Sequence, residues 1–265
     1  MDPYKVYLIN LKRSPDRLAR MQDEFRKNNI SGVERIDAVD GQKLDHKSYI
    51  AANRFKRKMV AGEFACYLSH IKALQKFLEE EGDFVVILED DISIASDFNE
   101  VVTKAINSYL ELPENKRWDV LKLWNRNRRN IRIYDIDQTH FIGLCGTSIP
   151  GGTLGAVWTK EGARKFLKKV FSSQQQPVIG RPIDCDLQHA WEFGLTIYNL
   201  LPSVVMLHET PSVIDESRAE KHATFLGGVR YEMNRLIPKY KYYIDLQGFR
   251  KFLNSFILKK NEIVL

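Results

Sequence analysis

Three consecutive acidic residues, Glu89, Asp90 and Asp91, directly follow a run of apolar residues, 84–88. A run without polar residues predicts a strand that is buried on both faces, as in the middle of a parallel sheet. Ligands of open α/β sheets bind outside the carboxyl ends of the strands, where these acids would lie. Adjacent carboxylates repel one another, and a divalent cation that bridges them to phosphate oxygens would balance their charge. The alternative is a solvated turn whose acids cap a helix that starts within residues 93–98.

A second polar group surrounds the end of the first predicted strand, residues 6–11. Asn10 lies at this end, where its amide could pair with the edge of a nucleotide base. Pro15 marks the start of a predicted helix, and Arg13 and Arg17 lie four residues apart across that start. Both arginines could reach a diphosphate near the helix N-terminus, where backbone N–H groups also favour anions. The alternative is that these arginines are solvated surface charges.

A helix predicted over residues 62–80 places Glu63, Cys66 and His70 on one face, opposite much of its apolar side. Glu63 and His70 could therefore line the same cleft. A single histidine on a helix is equally compatible with a purely structural role.

The elements that must position these side chains alternate along the chain. Strands are predicted at residues 6–11, 33–39, 84–88, 118–124 and 156–159, and helices at 14–29, 62–80, 97–111, 160–170 and 184–194. Such alternation predicts an α/β fold built on a parallel sheet, with the apolar strand 84–88 in its interior.

Six stretches of the chain, taken together and in order, resemble glycosyltransferase family 25, the lipooligosaccharide galactosyltransferases and their collagen-modifying relatives. These stretches are residues 9–17 (INLKRSPDR), 38–41 (AVDG), 62–70 (GEFACYLSH), 86–91 (VILEDD), 155–167 and 182–184 (PID). The resemblance covers roughly residues 4–215. It implies a GT-A-type fold, a Rossmann-like mixed sheet flanked by helices, with a UDP-sugar donor and inversion at the anomeric carbon.

The resemblance also implies roles for individual residues. Glu89 and Asp91 take the outer positions of an Asp-x-Asp motif and are expected to bind a divalent metal, Mn²⁺ or alternatively Mg²⁺. His208 is suggested as a third ligand, although the family often differs around residues 207–209. The residues expected to bind the donor are Asn10, Arg13, Arg17, Asp40, Glu63, Ser69, His70 and Asp90.

An inverting transfer needs a base that accepts the proton of the attacking acceptor hydroxyl. Asp184 and Asp186 follow Pro182 at a predicted helix start, and Asp184 is preferred because it falls in the matching stretch. The alternative is that these carboxylates interact only with the helix dipole.

The charge of the chain is concentrated at its C-terminal end. Net charge is +6, and residues 230–265 hold eight basic against three acidic residues. We therefore expect a catalytic domain over residues 1–229 and a basic, helical C-terminal tail over 230–265. In this tail the apolar residues Phe249, Phe252, Leu253, Phe256 and Ile257 recur at helical spacing. An amphipathic basic helix of this kind either lies on an anionic membrane surface or docks on the domain.

The sequence as a whole predicts a cytoplasmic, metal-assisted transferase that moves galactose from UDP-galactose to a lipooligosaccharide core sugar. Three widely spaced cysteines form neither a metal-ligand pattern nor a disulfide framework, which favours a reducing compartment. A nucleic-acid partner is not expected, because the arginine-rich run 126–132 lacks interleaved aromatic residues and a recognisable module. The alternatives are another donor, such as UDP-glucose or an N-acetylhexosamine derivative, and a non-catalytic nucleotide- or carbohydrate-binding module.

Overall fold

A computed structural model describes residues 3–55, 57–125, 130–146, 148–208, 225–257 and 263–264. Its strands are β1 (Lys5–Asn10), β2 (Val33–Asp37), β3 (Ile50–Ala51), β4 (Phe84–Glu89), β5 (Ile92–Ile94), β6 (Val120–Lys122), β7 (Asn130–Asp135), β8 (Phe141–Cys145), β9 (Gly155–Thr159), β10 (Val178–Ile179), β11 (Ile197–Leu201), β12 (Val205–Leu207) and β13 (Ile263–Val264).

A nine-stranded mixed sheet forms the centre of the described residues, in the order β13-β7-β8-β11-β6-β9-β4-β1-β2. Strands β2, β1 and β4 are parallel, and β9 runs antiparallel between β4 and β6. Strand β6 therefore points the same way as β4. As a result, the last residues of β1, β4 and β6, namely Asn10, Glu89 and Lys122, meet at one edge of the sheet.

Helices cover both faces of this sheet. They are α1 (Pro15–Lys27), α2 (Ala61–Glu79), α3 (Phe98–Tyr109), α4 (Lys160–Phe171), α5 (Ile183–Leu187), α6 (Ala190–Phe193), α7 (Phe225–Gln247) and α8 (Phe249–Ile257). Two hydrophobic clusters result, one with α1 and α3 and the other with α2 and α4. Strand β1 contributes to both because its side chains alternate: Val6 and Leu8 join the first cluster, and Tyr7 and Ile9 the second.

The mixed sheet flanked by helices confirms the α/β class predicted from the sequence. The strand predicted at 118–124 is shorter than expected, since β6 covers Val120–Lys122. A strand that the pattern did not predict, β5, directly follows the acidic triplet and pairs antiparallel with β12. The helix beyond it begins only at Phe98, so the triplet does not cap a helix at 93–98.

The C-terminal segment packs on the domain. The predicted boundary between residues 229 and 230 falls inside helix α7. Tyr243 of α7 and Phe252 of α8 are buried in the cluster beside α2 and α4. Among the described residues, no helix combines the length and the apolar character that a membrane crossing requires.

Candidate active site

A pocket of about 400 Å³ lies at the carboxyl edge of the sheet, between the start of α1, the start of α2 and the end of β4. Its wall includes Arg13, Arg17, Ser69, His70 and the acidic triplet. Parallel strands bring these residues together, because the loops that follow β1, β2 and β4 all open at the same edge. Most of the predicted donor-site residues therefore surround one cavity.

Asp90 is turned into the protein. Its Oδ1 accepts a hydrogen bond from Arg17 Nη1 at 2.9 Å, and its Oδ2 accepts one from Asn10 Nδ2 at 2.7 Å. The Asn10 amide is buried, and its Oδ1 accepts from Arg35 Nε at 2.9 Å. Both ends of that amide are thus engaged by protein groups. This arrangement does not favour the expected pairing of Asn10 with a nucleotide base. Asn10 instead holds the Asp90 carboxylate in position through a hydrogen bond.

Arg20 is a residue that the sequence reading missed. Its guanidinium donates to the carbonyl oxygens of Asp90 at 2.6 Å and Ile92 at 2.7 Å, so it clamps the backbone on both sides of Asp91. Arg20 lies one helical turn after Arg17 and therefore on the same side of α1. That i, i+3 spacing was the available signal.

Asp91 carries a buried carboxylate oxygen, Oδ1, that has no hydrogen-bond partner among the residues that the structure describes. Burial, followed by the charges of Glu89 and Asp90, raises the pKa of Asp91 to about 6. The Asp91 carbonyl accepts a hydrogen bond from the backbone N–H of His208 at 2.8 Å. The pairing of β5 with β12 creates this contact and brings His208 beside the triplet.

Glu89 has different partners from Asp90 and Asp91. Its Oε1 accepts hydrogen bonds from His70 Nε2 at 3.1 Å and from the Thr153 hydroxyl. Burial acts to raise the pKa of Glu89, but the His70 and Thr153 bonds and the positive charge of Lys122 outweigh it and hold the pKa below its usual value. Glu89 is therefore an ionised carboxylate with its own set of partners.

The three predicted metal ligands do not converge on a single point. Among the residues that the structure describes, the only group of three that brings its ligand atoms within 4.8 Å is Cys66, His70 and Glu89. Asp91 and His208 are neighbours, whereas Glu89 lies with another pair, so the predicted set of Glu89, Asp91 and His208 stays a prediction. The triplet divides because successive side chains leave the strand end in different directions.

Glu63 does not line the pocket, contrary to the prediction. Its buried carboxylate receives two hydrogen bonds from Arg57, at 2.6 and 2.9 Å, and one from the Val60 backbone N–H at 3.1 Å. These bonds close the N-terminus of α2, where free backbone N–H groups need acceptors. Glu63 thus stabilises the helix that carries Ser69 and His70.

Ser69 lines the pocket, but its hydroxyl is engaged by the protein. It donates to Ala65 O at 2.6 Å and accepts from Val39 N at 2.9 Å, so it positions the loop after β2. In that loop Asp40 accepts from Gln42 N at 3.0 Å and from Arg13 Nε at 3.2 Å. Asp40 therefore orients Arg13 at the mouth of the pocket.

Asp184 lies half-buried at the start of α5, and its Oδ2 accepts the backbone N–H of Gly152 at 3.0 Å. It is not part of the pocket wall. Gly152 directly precedes Thr153, whose hydroxyl bonds Glu89. The 150–153 segment thus connects Asp184 to the triplet, and the role of Asp184 as a base stays a prediction.

Lys122 binds the 150–153 segment from the end of β6. Only 1% of this lysine is exposed, and its Nζ donates to Gly152 O at 2.8 Å and to Pro150 O. Burial is the largest influence on its pKa, which falls to about 8 although Asp184 and Glu89 act in the opposite direction. The sequence does show a lysine between apolar residues in the run 120–123, and this position was the available signal for a buried lysine.

The site thus combines two arginines with an aspartate, Asp91, that has a buried carboxylate oxygen without a donor among the described residues. Arginines pair well with phosphate oxygens, and a carboxylate oxygen is a hard ligand for a divalent cation. A diphosphate held together with a cation satisfies both requirements.

Comparison with known proteins agrees with this chemistry. Residues 4–185 match the family model described as glycosyltransferase family 25 (LPS biosynthesis protein). The chain belongs to glycosyltransferase family 25. A family member from Anopheles gambiae is 31% identical over 186 residues, which cover 65% of this chain and 30% of that protein. Procollagen galactosyltransferase 2 from Homo sapiens is 25% identical over 173 residues, covering 62% and 27% respectively.

These matched regions span less than a third of either relative. Among solved structures, A197 from STIV is 13% identical, with a TM-score of 0.34 over 79% of this chain and 96% of that one. The family assignment therefore depends on the sequence match and on the residues gathered around the pocket.

Proposed function

We propose that this family 25 chain transfers a hexose from a UDP-sugar to a hydroxyl group of a carbohydrate acceptor, with inversion at the anomeric carbon. The observation that carries the proposal is the pocket at the carboxyl edge, which Arg13, Arg17 and Asp91 line together, while Asp91 Oδ1 is buried without a hydrogen-bond donor among the described residues. The arginines would bind the diphosphate, and Ser69 and His70 would face the remaining part of the donor.

The residues present fit a divalent metal, Mn²⁺ or Mg²⁺, at Asp91. A buried carboxylate oxygen without a hydrogen-bond donor is unfavourable unless a cation or a ligand compensates it. His208, whose backbone bonds the Asp91 carbonyl, is the proposed second ligand. When bound, the metal would act as a Lewis acid toward the diphosphate leaving group.

The chain's own residues account for the remaining steps. Arg13 and Arg17 stabilise the charge that develops on the departing UDP, as fixed cations do in a water-poor site. Asp184 is the proposed base that accepts the proton of the acceptor hydroxyl. Its support is positional, because the bond to Gly152 places its carboxylate next to the segment that contacts Glu89.

Galactose is the proposed sugar, because the human relative is named as a galactosyltransferase. A lipooligosaccharide core is the proposed acceptor, because the family description names LPS biosynthesis. A cytoplasmic location at an anionic membrane surface completes the proposal. It is supported by the three widely spaced cysteines, whose pattern is not that of a disulfide framework, and by the basic C-terminal helices.

UDP release from a panel of UDP-sugars, with and without Mn²⁺, tests the proposal. We expect slow, metal-dependent hydrolysis of UDP-galactose by the wild type and its loss in Asp91→Ala. Asp23→Ala is the matched control, since Asp23 is an exposed acid on α1 that pairs only with Arg26 among the ion pairs of the described residues.

Turnover of UDP-glucose or a UDP-N-acetylhexosamine instead would replace the donor and keep the reaction class. Thermal stabilisation by UDP without release from any donor would favour the non-catalytic binding module. Equal activity of Asp91→Ala and the wild type would remove Asp91 from the site.

A further inference from the structure

Cys66, His70 and Glu89 form a compact group at the wall of the pocket. Cys66 and His70 lie four residues apart on α2, so their side chains stand one turn apart on the same face. Glu89 approaches them from the end of β4. Its Oε1 lies 3.9 Å from Cys66 Sγ and 3.1 Å from His70 Nε2, and all three ligand atoms fall within 4.8 Å of one another.

We propose that this group binds a zinc-type divalent ion, at a position distinct from the proposed metal at Asp91. Tetrahedral zinc with usual bond lengths separates a thiolate sulfur from a carboxylate oxygen by about 3.5 Å, and an imidazole nitrogen from that oxygen by about 3.3 Å. The two distances here differ from these values by a few tenths of an ångström. Small side-chain rotations would therefore complete the coordination.

The ligand types select the metal. One sulfur, one nitrogen and one oxygen suit Zn²⁺ or Co²⁺, whereas Mg²⁺ and Mn²⁺ favour oxygen ligands. Three protein ligands leave a fourth position, and all three residues line the pocket, so that position opens into the cavity. This is the arrangement of a site that can accept a water molecule or a ligand oxygen.

The surroundings of the group also suit a cation. Thr153 donates its hydroxyl to the Glu89 carboxylate and so fixes the orientation of one ligand, as outer partners do in metal sites. Asp91 and Asp184 add negative charge near Cys66. When no ion is bound, Glu89 and His70 are hydrogen-bonded to each other, and this bond keeps the two ligands close together.

Cobalt absorption provides a test that requires no turnover. The metal-free full chain is titrated with Co²⁺, and a near-ultraviolet thiolate-to-cobalt charge-transfer band reports coordination by sulfur. We expect the band in the wild type and its loss in Cys66→Ser. Cys185→Ser is the matched control, because Cys185 is likewise half-buried and should leave the band unchanged. Zn²⁺ should displace the cobalt at stoichiometric amounts, whereas Mg²⁺ should not.

Two further variants separate this site from the proposed donor metal. Asp91→Asn should retain the band. Thr153→Val should weaken Co²⁺ binding by about tenfold or more, since it removes the group that orients Glu89. If Cys66→Ser fails to fold, which a loss of cooperative unfolding would show, His70→Gln serves as the second ligand variant.

The proposal is overturned if the wild type shows no band, or if the band persists in both ligand variants. Loss of the band in Asp91→Asn but not in Cys66→Ser would also overturn it. None of these outcomes depends on UDP release. The zinc-type site can therefore be disproved while the proposed glycosyl transfer stands, and the glycosyl transfer can be disproved while the zinc-type site stands.

Discussion

At the scale of single residues, three adjacent acids have three different environments. Asp90 is hydrogen-bonded by Arg17 and Asn10, Glu89 by His70 and Thr153, and Asp91 keeps a buried oxygen without a donor. A carboxylate that receives charged hydrogen bonds stabilises the fold, whereas one that lacks them costs stability. Asp90 and Glu89 therefore stabilise the fold through the hydrogen bonds that they receive. Asp91 is the acid whose oxygen lacks such a bond, which suits it to a ligand.

Exchange of each aspartate for asparagine should separate structure from function. Asp90→Asn loses the ion pair with Arg17 and should lower the free energy of unfolding by about 2 kcal/mol. Asp91→Asn removes a carboxylate that is repelled by its neighbours, so it should leave that free energy unchanged or slightly higher. Chemical denaturation measures both values, and calorimetry with UDP and Mn²⁺ should show lost binding for Asp91→Asn. A larger loss of stability in Asp91→Asn than in Asp90→Asn would contradict this assignment.

At the scale of elements, the segment 150–153 and Ile149 directly before it depend on three distant supports. Lys122 of β6 binds its carbonyls, Asp184 of α5 binds the Gly152 N–H, and Tyr243 of α7 accepts the Ile149 N–H at 2.8 Å. The C-terminal helix therefore contacts the segment that bonds Glu89. Because the tyrosine is fully buried, no water can replace its hydroxyl.

Removal of that hydroxyl should affect the site as well as the fold. Tyr243→Phe leaves a buried N–H unpaired and should lower the free energy of unfolding by about 1–3 kcal/mol. We also expect weaker UDP binding, because the 150–153 segment loses one support. Tyr242→Phe is the control: its hydroxyl donates to Leu195 O at 2.9 Å, outside this segment, so it should cost stability without changing UDP affinity. Equal UDP affinity in all three proteins would show that α7 does not influence the pocket.

At the scale of the whole molecule, the C-terminal helices divide their surface between the core and the outside. Phe252 is buried against Tyr240, so only part of the predicted amphipathic stripe is available. Phe249 remains 62% exposed, and α7 adds Ile237 at 81% and Met233 at 66%. Phe256 and Ile257 belong to α8, but their side chains lie outside the described residues. The exposed apolar groups occur in the part of the chain that holds most of its net positive charge.

This combination should give salt-sensitive binding to anionic membranes. In co-sedimentation with vesicles containing phosphatidylserine we expect binding at low salt that decreases as salt screens the charges. The double variant Met233→Ser/Ile237→Ser should weaken it by more than about tenfold, because each apolar side chain contributes about 1.5–3 kcal/mol when buried. Leu110→Ser removes a comparably exposed residue, 71%, from another region and serves as the control. Equal binding to neutral vesicles, or an unchanged double variant, would exclude the membrane contact.

Local patterns in the sequence predicted the edge of the sheet at which the pocket lies. The apolar run before the acids and the proline at the start of α1 each act within a few residues, and parallel strands bring the loops that follow them to one edge. Arg13, Arg17 and the triplet could therefore be expected at one edge of the sheet, where they line a pocket, whereas His70 was expected there from the family resemblance. The family 25 model matches residues 4–185, a range that includes these stretches.

Only the tertiary structure decided what each side chain does there. Asn10 and Asp90 are 80 residues apart in sequence, and Thr153 and Glu89 are 64 apart, so no local pattern shows that they bond. Glu63 was assigned to the donor because its position on α2 was visible, while its pairing with Arg57 was not. A sequence states which groups can ionise or donate a hydrogen bond. Which partner each group finds depends on how the folded chain removes it from water, because a buried polar group must be paired and an exposed one need not be.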